Sequence, residues 1–229
     1  MQATYAAEDN ATLQEPVAAG SWQAAINKKD HSDGYDIHVF KELLTGTGDK
    51  TISVNQTFTQ TDFNAVKGLT GFGEFGNYYE DEDKNPFEVG MVNGVLINGA
   101  DTNFTAQNAS VTVTAVALSE PKYVEVGGIY HRDGQATYSG QTMTVNVTSA
   151  ANVDSAGESW VYGYMMENPL GFAQKRQATF NANTTNISAE STSVNGLHTV
   201  AFGLSTDAVD APQVTFAAGD ATLSASTAA

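Results

Sequence analysis

The sequence predicts an all-β fold, built as two tandem antiparallel β-sandwich-like modules with one or two short helices. The strands are read from period-two alternation of apolar and polar residues, broken by Gly, Asn and Asp turns. Long helix-forming stretches are missing from a chain of 229 residues dominated by Gly, Thr, Ser, Asn, Ala and Val. The tandem arrangement is read from three pairs of phrases that recur in the same order, roughly 85 to 90 residues apart, a span suited to a small sandwich. They are Thr51–Thr57 with Thr142–Thr148, the run into Lys84–Phe87 with the run into Glu167–Phe172, and Val111–Ser119 with Leu197–Ser205. Pro121 punctuates the stretch Ser119–Lys122, so residues 1–120 are expected to form the first module and residues 121–229 the second.

Along the chain, the first element expected is a helix over Ser21–Lys29. Ser21 is placed to cap it, Trp22, Ala25 and Ile26 to form its apolar stripe, and Lys28 and Lys29 to meet its negative end. Strands follow at Tyr35–Phe40 and Thr51–Phe58. A second helix over Thr61–Leu69 takes Asp62 as cap, Phe63 and Val66 as inward residues and Gly68 as stop. The remaining strands are Ser110–Leu118, Tyr123–Tyr130, Thr142–Thr148, Ser159–Met165 and Leu197–Leu204. In the first of these, Val111, Val113, Ala115 and Ala117 share one face, as a half-buried strand requires.

The chain begins and ends on nearly the same phrase, QATYAAEDNATL at Gln2–Leu13 and QVTFAAGDATL at Gln213–Leu223. Each copy reads as a short strand, a polar turn and a second short strand, and each has one large aromatic side chain, Tyr5 or Phe216. Such a segment buries too little to stand alone and must pair with a sheet edge. Tyr5, Leu13, Phe216 and Leu223 are therefore candidate assembly residues. They serve either equivalent slots in two modules or strand addition between successive subunits.

Charge and composition exclude several functions. Asp and Glu number 26 against 10 Lys and Arg, a net charge of −16, which repels polyphosphates and anionic membranes; neither nucleic acid nor membrane is expected as a partner. There is no cysteine, hence no disulfide framework and no thiolate chemistry. The opening MQATYAAEDN has neither a basic nor an apolar signal region. GFGEFG at Gly71–Gly76 matches a dinucleotide-binding pattern, yet it runs on into acids and Pro86 instead of a helix, so no phosphate site is expected.

Asp81, Asp83 and Asn85 echo the start of an EF-hand loop, but Pro86 stands where the turn glycine belongs and Val92 where the bidentate Glu belongs. They stand as calcium candidates against the reading of a solvated hairpin tip, and no other cofactor is expected. The histidines, His31, His38, His131 and His198, show no metal-binding spacing, and no nucleophile motif is present, so no catalytic residue is nominated and no enzymatic activity is expected. Trp160, Tyr162 and Tyr164 alternate along one strand and would form a flat carbohydrate-binding face if exposed, or core if buried. Seven Asn-x-Ser/Thr sequons, from Asn10 to Asn186, have meaning only in an exported chain.

The function expected on these grounds is that of a structural subunit of an assembled particle. A virion component (a capsid-decoration, tail or fibre protein) is put first, with itself or other structural subunits as partners and homo-oligomers as the product. An extracellular filament, surface-layer or adhesin subunit at the cell surface is the alternative, and a carbohydrate-binding module the third.

Overall fold

A computed structural model describes residues 17–19, 22–28, 35–69, 88–98, 101–107, 109–116, 123–131, 134–139, 142–148, 159–168, 177–181, 184–191, 197–206, 213–217 and 220–227. The chain opens with β1 (Val17–Ala19) and β2 (Trp22–Lys28), which pair antiparallel. Five three-strand turns follow. The first is β3 (Tyr35–Leu44), β4 (Thr47–Lys50) and β5 (Ser53–Phe58), trailed by α1 (Gln60–Leu69). The second is β6 (Glu88–Ile97), β7 (Asn103–Gln107) and β8 (Ser110–Val116). The third is β9 (Tyr123–His131), β10 (Gln135–Ser139) and β11 (Thr142–Thr148). The fourth is β12 (Ser159–Asn168), β13 (Gln177–Asn181) and β14 (Thr184–Ser191), and the fifth is β15 (Leu197–Thr206), β16 (Gln213–Ala217) and β17 (Asp220–Thr227).

Each strand pairs in parallel with the strand at the same place in the next turn. Three sheets result: sheet I in the order β1-β2-β3-β6-β9-β12-β15, sheet II β16-β13-β10-β7-β4, and sheet III β17-β14-β11-β8-β5. Among the described residues, only the β1–β2 and β2–β3 pairings are antiparallel. A parallel pair needs a long crossover, and here the crossover from one strand of sheet I to the next is the passage through sheets II and III. The architecture is a parallel β-solenoid.

The expectation of two antiparallel sandwiches is thereby corrected. Alternation identifies strands but carries no information on their direction, and the phrase pairs taken as a duplication do not mark modules. Thr51–Thr57 and Thr142–Thr148 fall on β5 and β11, two turns apart in one sheet, whereas Val111–Ser119 and Leu197–Ser205 overlap β8 and β15, which belong to different sheets. The true period is about 36 residues, the interval between the starts of β6, β9, β12 and β15. Across residues 117–122, β6 joins β9, β7 joins β10 and β8 joins β11 without interruption.

The helix expected at Ser21–Lys29 is also corrected: Trp22–Lys28 is β2, paired residue by residue with β3 from Gln23↔Phe40 to Lys28↔Tyr35. Tertiary pairing overrides a weak helical stripe. The second helix is present as α1, but its cap is Thr59. The Thr59 hydroxyl accepts from the Asp62 N–H at 3.2 Å, while the Asp62 carboxylate accepts from the Thr59 N–H at 2.9 Å and its hydroxyl at 2.8 Å, a capping box.

Sheets II and III each turn one face inward. The alternation is visible in β8, where Val111, Val113 and Ala115 are buried between partly exposed neighbours, and in β14, where Thr185, Ile187 and Ala189 are buried. These residues meet Val92, Val95, Val126, Ile129, Val161 and Tyr164 of sheet I in one continuous core. Sheet I differs, because Val92–Asn98 and Val126–His131 are buried throughout. Its other face carries a second apolar cluster, formed by Phe40, Leu96, Tyr130 and Tyr162.

Sheet I strands reach both clusters through a slip in their alternation. Val92, Val126 and Val161 face the main core, the next residue faces away, and then two successive residues turn inward, Gly94–Val95, Gly128–Ile129 and Gly163–Tyr164. The first of each pair must lack a Cβ. A Cβ on Gly163 would stand 2.7 Å from the Ala201 carbonyl oxygen and 2.6 Å from Thr185 Cγ2. Gly163→Ala is therefore expected to cost about 1–3 kcal/mol through overpacking, read as a lower urea midpoint.

Glu42, half-buried in β3 at the register position of Val95, has its carboxyl pushed above the ordinary value of 4.5 by burial. A raised carboxyl titration means that the folded chain holds its proton more tightly than the unfolded chain. Stability is then lost as pH rises from 4.5 through the folded value. Glu42→Gln is expected to raise the thermal midpoint at pH 7 and to leave it unchanged near pH 4.

Candidate assembly surface

Parallel in-register stacking brings like residues together. On sheet II, Thr105, Thr137, Thr179 and Thr215 stand in one row, and Gln135, Gln177 and Gln213 in another. On sheet III, Asn55, Thr112, Thr144, Asn186 and Thr222 form a row. A charged residue repeated along such a row would repel its neighbour about 4.8 Å away. Strands of these two sheets accordingly carry only Asp49, Lys50, Glu190 and Asp220 as charged residues.

The two ends of the solenoid are built differently. At the first turn, Trp22 of β2 meets Phe58 edge to face, with ring centroids 5.5 Å apart, and its indole N–H donates to the Thr57 carbonyl oxygen at 3.1 Å. Trp22, Phe58 and Phe63 of α1 are all buried, so apolar cover lies beside β5 at this end, whereas β4, the outermost described strand of sheet II, is largely exposed.

The last turn has no such cover among the described residues. β15, β16 and β17 are the edge strands of the three sheets. Leu223 stacks on Ile187, which stacks on Val145 and then Val113, all three of them buried core residues. Ile187 is 1% exposed, whereas Leu223 is 43% exposed, and every residue from Thr222 to Ala225 is exposed. An inward-facing leucine in the register of the core is thus exposed on a strand that, among the described residues, is the last of its sheet.

The candidate assembly residues divide accordingly. Leu223 lies on the open edge, and Phe216 is in β16, in register with Phe180, on the same edge. Tyr5 and Leu13 lie outside the described residues, as do Asp81, Asp83 and Asn85. Among the described residues no group of three His, Asp or Glu side chains is placed to hold a metal ion.

The aromatic strand β12 does not present its three rings on one face. Tyr164 is buried in the main core and Tyr162 in the second cluster, because the slip at Gly163 sends them to opposite sides of sheet I. Tyr162 lies across β9: a Cβ on Gly127 would fall within its ring, and its hydroxyl donates to Asn93 Oδ1 on β6 at 2.6 Å. Trp160 is half-buried and stacked on His198, with centroids 4.3 Å apart and planes 19° apart.

A buried polar cluster that spacing alone did not reveal sits on the core side. His131 Nε2 is 3.0 Å from the Gly134 carbonyl oxygen, which can only accept, so this nitrogen carries the proton and Nδ1 accepts from the Tyr164 hydroxyl. Tyr138 packs edge to face on Tyr164 at 5.9 Å. Burial pushes both phenol hydroxyls well above their ordinary titration range. His131, Tyr138 and Tyr164 are closed to solvent, so the cluster pins sheet I to sheet II and offers no access to a substrate.

No helix among the described residues is long and apolar enough to cross a membrane. No protein-family model, curated protein or solved structure matches the chain. Since Leu223 is in register with the core yet exposed, Leu223→Asp is expected to shift the stability of the single chain by no more than about 0.5 kcal/mol. Ile187→Asp, which buries a charge, is expected to abolish cooperative unfolding. Denaturation at low protein concentration checks both.

Proposed function

We propose that this chain is a non-enzymatic structural subunit that assembles through strand contacts at its C-terminal edge. The observation that supports the reading is the contrast between the two edges of sheet III: Phe58 of β5 is buried beside Trp22 and Phe63 at one, while Leu223 of β17 stands exposed in core register at the other. A parallel β-solenoid is a rod whose coils satisfy one another's backbone groups, and an open last coil extends that rod by adding a strand in each sheet. Such a rod suits a fibre or decoration protein of a virion, which is the setting we favour. The strongly acidic composition keeps separate rods apart laterally and so directs association to the ends. The carbohydrate-binding alternative ranks lower because Tyr162 and Tyr164, two of its three aromatic residues, are buried.

Light scattering across a concentration series tests the reading. The full chain is expected to show a mass that grows with concentration. A Leu223→Lys, Ala225→Lys variant, which places two charges on the β17 edge, is expected to remain a monomer with unchanged β-type circular dichroism. A full chain that stays monomeric at every concentration would overturn the reading.

A further inference from the structure

We propose that the open edge receives Gln2–Leu13 of a second copy of this chain, which adds one strand to β16 and one to β17 as part of a further coil. The inference rests on the structural-subunit reading and names the segment that makes the contact.

The repeated terminal phrase is a signature of the coil. Gln-x-Thr followed by an aromatic residue occurs at Gln135–Tyr138, Gln177–Phe180 and Gln213–Phe216, and these segments stack in register, glutamine on glutamine and ring position on ring position. Gln2–Tyr5 is a fourth instance of the same pattern. After the turn, Ala11, Thr12 and Leu13 repeat Ala221, Thr222 and Leu223. Seating Leu13 over Leu223 requires a connection one residue longer than the two residues between β16 and β17, and the alternative register would put Asn10 and Thr12 at inward positions. Hydrophobic alternation therefore selects the register that covers Leu223.

Geometry excludes the open edge of the same molecule. β1, which begins at Val17, and β15 lie at opposite edges of sheet I, six strand spacings or roughly 29 Å apart. Leu13 is four Cα–Cα steps from Val17, a reach of at most about 15 Å. With Leu13 seated over Leu223, the segment therefore comes from another molecule.

The chain has no cysteine, so engineered thiols report the contact without background. Thr4 would stand over Thr215, with stacked Cα atoms about 4.8 Å apart, inside the disulfide range. Thr4→Cys and Thr215→Cys chains, mixed and oxidised, are expected to form the heterodimer several-fold more efficiently than Ala6→Cys with Thr215→Cys, which is two positions out of register. Assembly by light scattering with no preference for the Thr4–Thr215 pair would overturn this inference and leave the structural-subunit reading standing. A disulfide within one Thr4→Cys, Asp49→Cys chain would overturn it in favour of the segment packing on its own first turn. Absence of any assembly would overturn both.

Discussion

The backbone ladder between successive turns is the constraint on which the rest depends. Nearly every strand of the five turns finds its hydrogen-bond partners one coil away in the same sheet, so the position of each residue is set by the residue above and below it in the stack. Side chains follow from that register. Rows repeat like on like, which favours Thr, Asn, Gln and Ser outside and Val, Ile, Ala and aromatic rings inside, and disfavours repeated charge. The glycine column through Gly94, Gly128 and Gly163 is a second consequence, since a Cβ at any of the three would crowd side chains of sheet III or, at Gly128 and Gly163, the carbonyl oxygen of the neighbouring strand.

The same constraint makes the ends of the stack chemically different from its middle. An interior coil is satisfied on both sides, whereas a terminal coil must be capped, paired or left exposed. At the first end an antiparallel hairpin and a helix depart from the parallel pattern, and Trp22 of the hairpin is joined to β5 through its indole N–H. Where the last end keeps the parallel pattern intact, it remains a template, and Leu223 is the side chain that shows it.

Much of this was legible in the sequence. Alternation alone places Val111, Val113 and Ala115 on one buried face, and α1 is legible from Phe63 and its acidic first turn, although its cap is Thr59 and not Asp62. The orientation of the strands was not legible, because a half-buried strand has the same alternation in either direction. The period of about 36 residues was hidden because connecting segments vary in length and because single-strand phrases resemble one another across different sheets. Trp22–Lys28 carries a helical stripe that pairing with β3 overrides. Trp160, Tyr162 and Tyr164 looked like one face because the slip at Gly163 has no signature in a period-two reading. The echo between Gln2–Leu13 and Gln213–Leu223 signals a sheet edge in the sequence, but not the coil to which Gln213–Leu223 belongs. Gln135–Tyr138 and Gln177–Phe180 carry the same pattern as Gln213–Phe216 and stack in register with it.

The central claim, a continuous parallel stack, is tested most directly by methyl–methyl nuclear Overhauser contacts among Val113, Val145 and Ile187 in a selectively labelled sample. The solenoid predicts contacts from Val145 to both of the others, since the three stack in register in sheet III. Contacts of Val113 and Ile187 with separate sets of residues, with none through Val145, would contradict it and return the chain to independent modules.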